Sequence, residues 1–260
     1  MKTRFPSAIP ILLLCLATNV AVPAQDTKNS DPDPFSGKYA QPQRQVRVQV
    51  EYIEVSQELF TDLMFGANPA ANDTALRKRL AQLVKDGKAR ITETMLCTTL
   101  DGAKATTQSN EEFIYPTEYE PAITAPKDPA MDDVPPKETR ANAPMTTGPT
   151  PEAFETRNLG PTLEIEPIIS PNDKFIDLHI VPEIVAHVGN TVWAQWKDKH
   201  GKSDIQMPLI YTLRVNTRIR LTNGRTMLIA ALTPKNKKGF PDSSRKLMVF
   251  VKADVITPGN

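Results

Sequence analysis

The side chains able to carry chemistry are few and scattered. Histidine occurs three times, at His179, His187 and His200. His179 and His187 share strand parity but lie eight residues apart, too far along one strand to chelate a single ion. Cys97 could in principle pair with a histidine as a nucleophile. A lone cysteine on an apolar, β-prone stretch reads instead as a small core filler. Acid pairs occur at Glu111-Glu112, Asp132-Asp133 and Glu164/Glu166, where paired carboxylates could share general acid and base work. No pattern around them suggests a pocket. Glu164 and Glu166 fall on one strand face, as expected of a solvated or intersubunit surface. Trp193 and Trp196 could stack a sugar, but beside Lys197, Asp198, Lys199 and His200 they read as loop anchors. Arg77, Lys78, Arg79 and Lys85 could bind an anion, or could be the solvated face of a helix. No G-x-S-x-G elbow, phosphate-cradling glycine loop, H-E-x-x-H or C-x-x-C is present. The residues therefore predict no enzyme, no cofactor, no metal site and no small-molecule substrate.

Composition narrows the class of protein that holds these residues. The 260 residues carry 31 Lys+Arg against 30 Asp+Glu, a formal net charge of +1. That balance lacks the basic footprint of a general nucleic-acid binder, so no nucleic-acid partner is expected. Proline numbers 24 against 11 glycines, nearly double the roughly 5% average. Residues 1–24 read as a secretory signal peptide. Lys2 and Arg4 precede an apolar run through Leu12, Leu13 and Leu14, and Val22-Pro23-Ala24 offers small residues for cleavage. Cys15 follows Leu14, where a lipoprotein cleavage site needs a small residue. Loss of Lys2 and Arg4 from the 31 bases leaves 29 against 30 acids, with Cys97 as the only thiol. One thiol makes no internal disulfide. No later stretch approaches a membrane-spanning helix, so membrane contact would have to come from strands or from assembly.

Elements follow from periodicity. Residues 25–42 are polar and Pro-rich, a disordered lead-in. Strict alternation then places Val46, Val48, Val50 and Tyr52 on one strand face, with Ile53 and Val55 on the other. Ser56 can open a short helix carrying Leu59, Phe60, Leu63 and Met64. Asp73 or Thr74 can cap a second one, lined by Leu76, Leu80, Leu83 and Val84 and closed by Gly87. Two strands flank Asp101-Gly102. Ten prolines fall within 116–161, which predicts an insertion loop, since proline cannot donate to a central ladder. Strands follow at 162–169 and 174–186, then, after a polar loop, at 208–221, 226–233 and 246–256. Asn223-Gly224 is the strongest hairpin signal in the chain. The fold class is mixed α/β, mainly β, a small helix-on-sheet part followed by long antiparallel hairpins, with no internal repeat.

The order of specific words adds a family. V-R-V-Q-V-E-Y-I-E-V (46–55), L-x-x-L-V-K-D-G-K-A-R-I (80–91) and T-L-D-G-A-K-A (99–105) resemble successive pieces of the secretin core of bacterial type II and type III secretion and type IV pilus channels. N-L-G-P-T-L-E-I-E-P-I-I-S (158–170) resembles its signature strand, and D-L-H-I-V-P-E-I-V (177–185) the strand ending in Pro-Glu. R-V-N-T-R-I-R-L-T-N-G-R-T (214–226) and L-M-V-F-V-K-A-D-V-I (247–256) resemble the hairpin and closing strand. The words keep the family's order across residues 43–258. The positions that carry the resemblance are Gly160, Thr162, Leu163, Glu164, Pro167, Pro182, Glu183, Val215, Thr217 and Gly224.

The resemblance implies a subunit of a homo-oligomeric ring in the outer membrane, exporting protein or pilus fibres, with itself and other secretion or pilus components as partners. It also implies that the Pro-rich segment occupies the place of the gate. Two departures stand out. Ala230-Ala231-Leu232 replaces the usual G-G-L, and the short 235–246 stretch keeps only Phe240-Pro241 of a longer Leu-Gly-Asp-Pro type segment. Periplasmic docking modules ahead of the core are also absent from the 260 residues. These departures leave a second expectation, a periplasmic secretin-like structural or accessory protein that forms no pore itself.

Overall fold

The computed structural model describes residues 43–65, 72–123, 147–197 and 201–256. The expected signal peptide and lead-in lie outside these residues, as do Asp132-Asp133, His200 and the centre of the Pro-rich segment. The chain runs β1 (Gln45–Ser56), α1 (Gln57–Phe65), α2 (Thr74–Lys85), β2 (Ala89–Leu100), β3 (Ala105–Gln108), β4 (Glu111–Glu120) and β5 (Thr150–Ile169). It continues through β6 (Phe175–Lys197), β7 (Lys202–Arg214), β8 (Thr217–Thr222), β9 (Thr226–Leu232) and β10 (Arg245–Ile256). Among the described residues no helix is long and apolar enough to cross a membrane.

The described residues form ten antiparallel strands in two sheets. The first has the order β2-β1-β10-β9, so the first and last strands of the core pair along their whole length, from Gln45↔Ile256 to Ser56↔Arg245. The second is built on the β5–β6 hairpin, with β3 and β4 end to end along β5, and β8 and β7 end to end along β6. Alternation determines what each face meets. Val46, Val48, Val50, Tyr52, Val249 and Val251 point from the first sheet into a core shared with Leu163, Ile165, Ile176, Leu178 and Ile180 of the second. Every one of these eleven is essentially inaccessible, which makes apolar burial the main force joining the sheets.

The other face of the first sheet supports the helices. Ile53, Val55, Met248 and Phe250 meet Leu63 and Leu80, with Leu59, Phe60, Leu76, Leu83 and Val84 around them. Ser56 caps α1 as expected, its Oγ accepting from Leu59 N at 3.2 Å. The start of α2 differs from expectation. The Asp73 carboxylate leaves the helix end and accepts from Leu228 N at 2.8 Å, while Thr74 Oγ1 accepts from Thr226 N at 3.2 Å. These polar groups tie the helix start to β9 rather than to its own first turn.

Three expected boundaries are corrected. The segment 116–161, read as loop, begins and ends in strand, because β4 runs to Glu120 and pairs with the first half of β5. Pro116 and Pro151 fit because, among the described residues, β4 and the facing half of β5 pair only with each other, and an edge strand tolerates missing donors. The polar loop expected after residue 186 is strand as far as Lys197, so Trp193 and Trp196 are strand residues. The single strand expected over 208–221 is two, β7 and β8, divided at Val215-Asn216.

Candidate functional site

The second sheet narrows at one level where both flanking strands break. On one side β5 changes partner from β4 to β3, crossing Ser109-Asn110. Gly160 sits at that crossing with φ +130°, and a Cβ there would stand 2.2 Å from the Ser109 carbonyl oxygen. Only glycine permits both the close approach and the backbone angle. Ser109 N donates to the Pro161 carbonyl at 3.0 Å. Asn110 Nδ2 donates to Thr162 Oγ1 at 3.3 Å.

On the other side β6 changes partner from β8 to β7, across Val215-Asn216. Val215 N donates to the Pro182 carbonyl at 3.1 Å. Pro161 and Pro182 have no N–H to give, and each presents its carbonyl to the break in its neighbour. Thr162 lies opposite Glu183, and Leu163 opposite Pro182. Glu183 also faces Arg214, their charged atoms 3.6 Å apart.

Of the ten positions expected from sequence, the fold thus gathers Gly160, Thr162, Leu163, Pro182, Glu183, Val215 and Thr217 at this waist. Glu164 lies one residue beyond and holds Lys104 at 2.8 Å. Pro167 and Gly224 are elsewhere, at the turn end of the sandwich. The Pro167 carbonyl accepts from Gly102 N at 2.8 Å, and Gly224, at φ +74°, donates to the Ala253 carbonyl at 2.9 Å.

Beyond the waist the sheet splits into two hairpins, β4 with 150–159 and 186–197 with 202–213. Among the described residues no ladder joins them. They touch through side chains. The rings of Phe113 and His187 stack at 4.7 Å, and Ser203 Oγ donates to the Pro149 carbonyl at 3.4 Å. Each hairpin strand has about ten residues, roughly 33 Å of extended chain, the length a membrane-spanning strand requires. Their surfaces differ. The β4–β5 hairpin carries Glu111, Glu112, Glu118, Glu120, Glu152 and Glu155 against Arg157. The β6–β7 hairpin exposes Val192 and Trp193.

The candidate chemical residues do not converge. His179 contacts Asn216 Oδ1 at 3.1 Å, with Glu166 at 3.8 Å, on the outer face of the second sheet. His187 contacts Asn190 Oδ1 at 2.8 Å in the hairpin beyond the waist. Cys97 is buried in the shared core, where desolvation raises its pKa. Arg77 is bound to Glu51 of β1, whereas Lys78, Arg79 and Lys85 are exposed. Among the described residues no group of three or more His, Cys, Asp or Glu could hold a metal ion.

One functional element escaped the sequence reading. Arg44 reaches Asp101 and Asp173, each at 2.7 Å, and so clamps the entry of β1 to both turns at the base of the sandwich. Asp101-Gly102 marked one of those turns, but nothing local to Arg44 marked it as the common partner of both.

A family model described as "Secretin: Bacterial type II and III secretion system protein" matches residues 82–243. No curated protein sequence matches significantly. Among solved structures, the V. cholerae type IV competence pilus secretin PilQ is 12% identical, with a TM-score of 0.39 over 84% of this chain and 62% of that one. The secretin GspD of ETEC, solved with the pilotin AspS, is 13% identical, with a TM-score of 0.41 over 84% and 50%. The Salmonella SPI-1 injectisome secretin InvG is 8% identical, with a TM-score of 0.39 over 85% and 66%. The chain covers no more than about two thirds of any of the three.

Proposed function

The chain belongs to the secretin family, and on that premise we propose that it is a subunit of a homo-oligomeric outer-membrane channel serving type II or type III protein secretion or type IV pilus export. The observation that carries this reading is the contrast across the waist. Below it, strands are paired and apolar side chains are buried between two sheets. Beyond it, the hairpins leave the edges of β4 and β7 without partners among the described residues. Open edges invite pairing, and closure of a sheet on itself is the arrangement that removes them. Copies placed side by side in a ring supply that closure, and about ten residues per strand is enough to cross a bilayer. The ten resemblance positions take a structural role: Gly160, Pro182 and Val215 hold the point where core becomes channel wall. Other secretion or pilus components would dock on the assembled ring.

The test is fractionation of cells expressing the full-length chain. The unheated outer-membrane fraction is run on a denaturing gel beside negative-stain images. Heat-resistant rings are the expected result. A soluble periplasmic monomer or small oligomer would overturn the channel and leave an accessory protein built on the same core.

A further inference from the structure

Between β9 and β10 the chain makes a turn rich in lysine. Residues 234–246 carry Lys235, Lys237, Lys238, Arg245 and Lys246 against Asp242 alone. Arg245 is taken by Asp242 and Glu54. Lys235 lies over the Tyr211 ring at 4.6 Å, and Lys246 Nζ donates to Thr233 Oγ1 at 2.7 Å. Lys237 and Lys238 are exposed, and among the described residues neither side chain has a carboxylate partner. Phe240, two residues on, is 65% exposed.

Hydrogen bonds fix the shape of this turn. Asn236 Oδ1 accepts from Lys238 N at 2.9 Å and from Phe240 N at 3.2 Å, and Asn236 N donates to the Phe240 carbonyl at 2.9 Å. Packing fixes its place. Gly239, at φ +82°, is buried against the root of the β6–β7 hairpin, where an added Cβ would stand 3.2 Å from Val188 and 3.4 Å from Leu209. The Tyr211 hydroxyl donates to the Thr233 carbonyl at 2.6 Å. Lys237, Lys238 and Phe240 are thus presented a few residues beyond the waist.

The hairpin carries a second basic mark at its tip, Lys197 opposite Lys202. Between the two marks, in 189–196 and 203–209, Asp204 is the only charged residue, and Lys202 holds it at 2.7 Å. From Val188 to Lys197 the strand advances nine residues, roughly 30 Å. At the usual tilt of barrel strands that gives roughly 23 Å of height, close to the apolar band of an outer-membrane barrel. The lysine turn therefore lies where a headgroup layer would begin.

An exposed aromatic ring beside unpaired lysines at that level has the chemistry of an interfacial anchor. The cations meet phosphates while the ring reaches the first methylenes. The acidic β4–β5 hairpin of another copy would satisfy the lysines but set Phe240 among glutamates. Anionic phospholipid satisfies both.

We propose that the turn over residues 235–241 seats the subunit on anionic phospholipid, Lys237 and Lys238 holding headgroup phosphates and Phe240 lying just beneath them. This rests on the reading of the chain as a channel subunit, and it adds a lipid class to that reading.

The experiment uses rings of the full-length chain in vesicles of phosphatidylcholine, with or without phosphatidylglycerol. They are treated with an amine-acylating reagent and mapped by mass spectrometry. A lysine at an anionic surface favours it roughly fivefold. Acylation of Lys237 and Lys238 should therefore fall severalfold in the phosphatidylglycerol vesicles, while Lys88, exposed beyond the end of α2, stays unchanged. Equal acylation in the two kinds of vesicle would overturn the proposal and leave the channel reading standing. Full protection already in detergent would assign the lysines to another copy and overturn it as well. Absence of rings would remove the channel reading, and this contact with it. Depth is measured separately with Phe240→Trp in a chain carrying Trp193→Phe and Trp196→Phe. The single tryptophan should be quenched by phospholipid brominated near the headgroup, and less so after Lys237→Gln with Lys238→Gln. Quenching by acrylamide alone would place the ring in water and overturn its insertion.

Discussion

Gly160 and Ser109 meet so closely that a single methyl group on the glycine would stand 2.2 Å from the serine carbonyl oxygen. The contact lies where β5 leaves one partner strand and takes up another, so relief by movement would disturb both pairings. Gly160→Ala should therefore lower the denaturation midpoint and reduce the yield of the assembled form. The strained backbone angle alone costs about 1–3 kcal/mol, and the collision adds to it. Gly224→Ala is the control. Gly224 also has positive φ, but its nearest neighbour to an added Cβ is Asp254 Oδ1 at 3.6 Å, so only the conformational cost of about 1–2 kcal/mol applies. Equal effects in parallel urea titrations would show that the close approach at Gly160 is unimportant.

Tyr52 makes the opposite prediction. Its ring is fully buried in the shared core, and its hydroxyl has no hydrogen-bond partner. Desolvation, reinforced by Glu183 and Glu93, holds its pKa well above the ordinary tyrosine value. A buried donor without a partner costs stability, and removing the group recovers that cost. Tyr52→Phe should leave the denaturation midpoint at neutral pH unchanged or raise it. The folded pKa is raised, so the neutral hydroxyl favours the folded state below pH 10 and resists ionisation above it. Alkaline unfolding should consequently begin at higher pH in the phenylalanine variant, because the unfolded chain no longer gains by ionising this group. A clear loss of midpoint would mean that the hydroxyl has a partner in the assembled protein.

The parts of this fold legible in the sequence are those governed by local pattern. Val46 to Tyr52 alternate without interruption, Leu76 to Val84 keep helical spacing, and Asn223-Gly224 turns where it should. The far half of β6 was illegible for a physical reason. Register shifts between His187 and Gly189, and again between Val192 and Ala194, reset the period of two. Residues that are strand therefore read as polar loop. Proline misled in the same way at 116–161, since Pro116 sits beside a register shift in β4, where its missing donor is harmless. Most of the waist positions stood out as words, but their relationship did not. Gly160 against Ser109, and Val215 against Pro182, depend on long-range pairing that no local pattern encodes. The same holds for the Arg44 clamp.

Cys97 tests the assignment of the buried core to structure alone. It pairs with Val48 on β1 and is nearly inaccessible, with desolvation raising its pKa. The thiolate is the reactive form, so the folded chain should react slowly with a thiol-directed chromogenic reagent and quickly once denatured. Cys97→Ser should leave assembly in place, with modest destabilisation from burying a hydroxyl among aliphatic groups. Abolition of every function by that change, with rings still formed, would reopen a chemical role for the thiol.

Asp177 and Arg220 supply a test in acid. Arg220 donates twice to the Asp177 carboxylate, at 2.6 and 2.8 Å, across the β6–β8 ladder. Those hydrogen bonds come first among the causes that hold the Asp177 pKa below its ordinary 3.8, and the charges of Arg220 and Arg218 add to them. Because the folded value is depressed, the pair's contribution is present above the ordinary carboxylate range. It fades as pH drops below that range and is gone once pH has passed the folded value. Carboxyl carbon NMR of selectively labelled protein should place the Asp177 midpoint below 3.8. Arg220→Ala should move it upward, and Arg218→Ala should move it less, since Arg218 acts only through its charge. The pair is exposed and screened by salt, so the shift should shrink at high ionic strength while the stability change stays small. An Asp177 midpoint unaffected by Arg220→Ala would mean that the two side chains do not hold each other in solution.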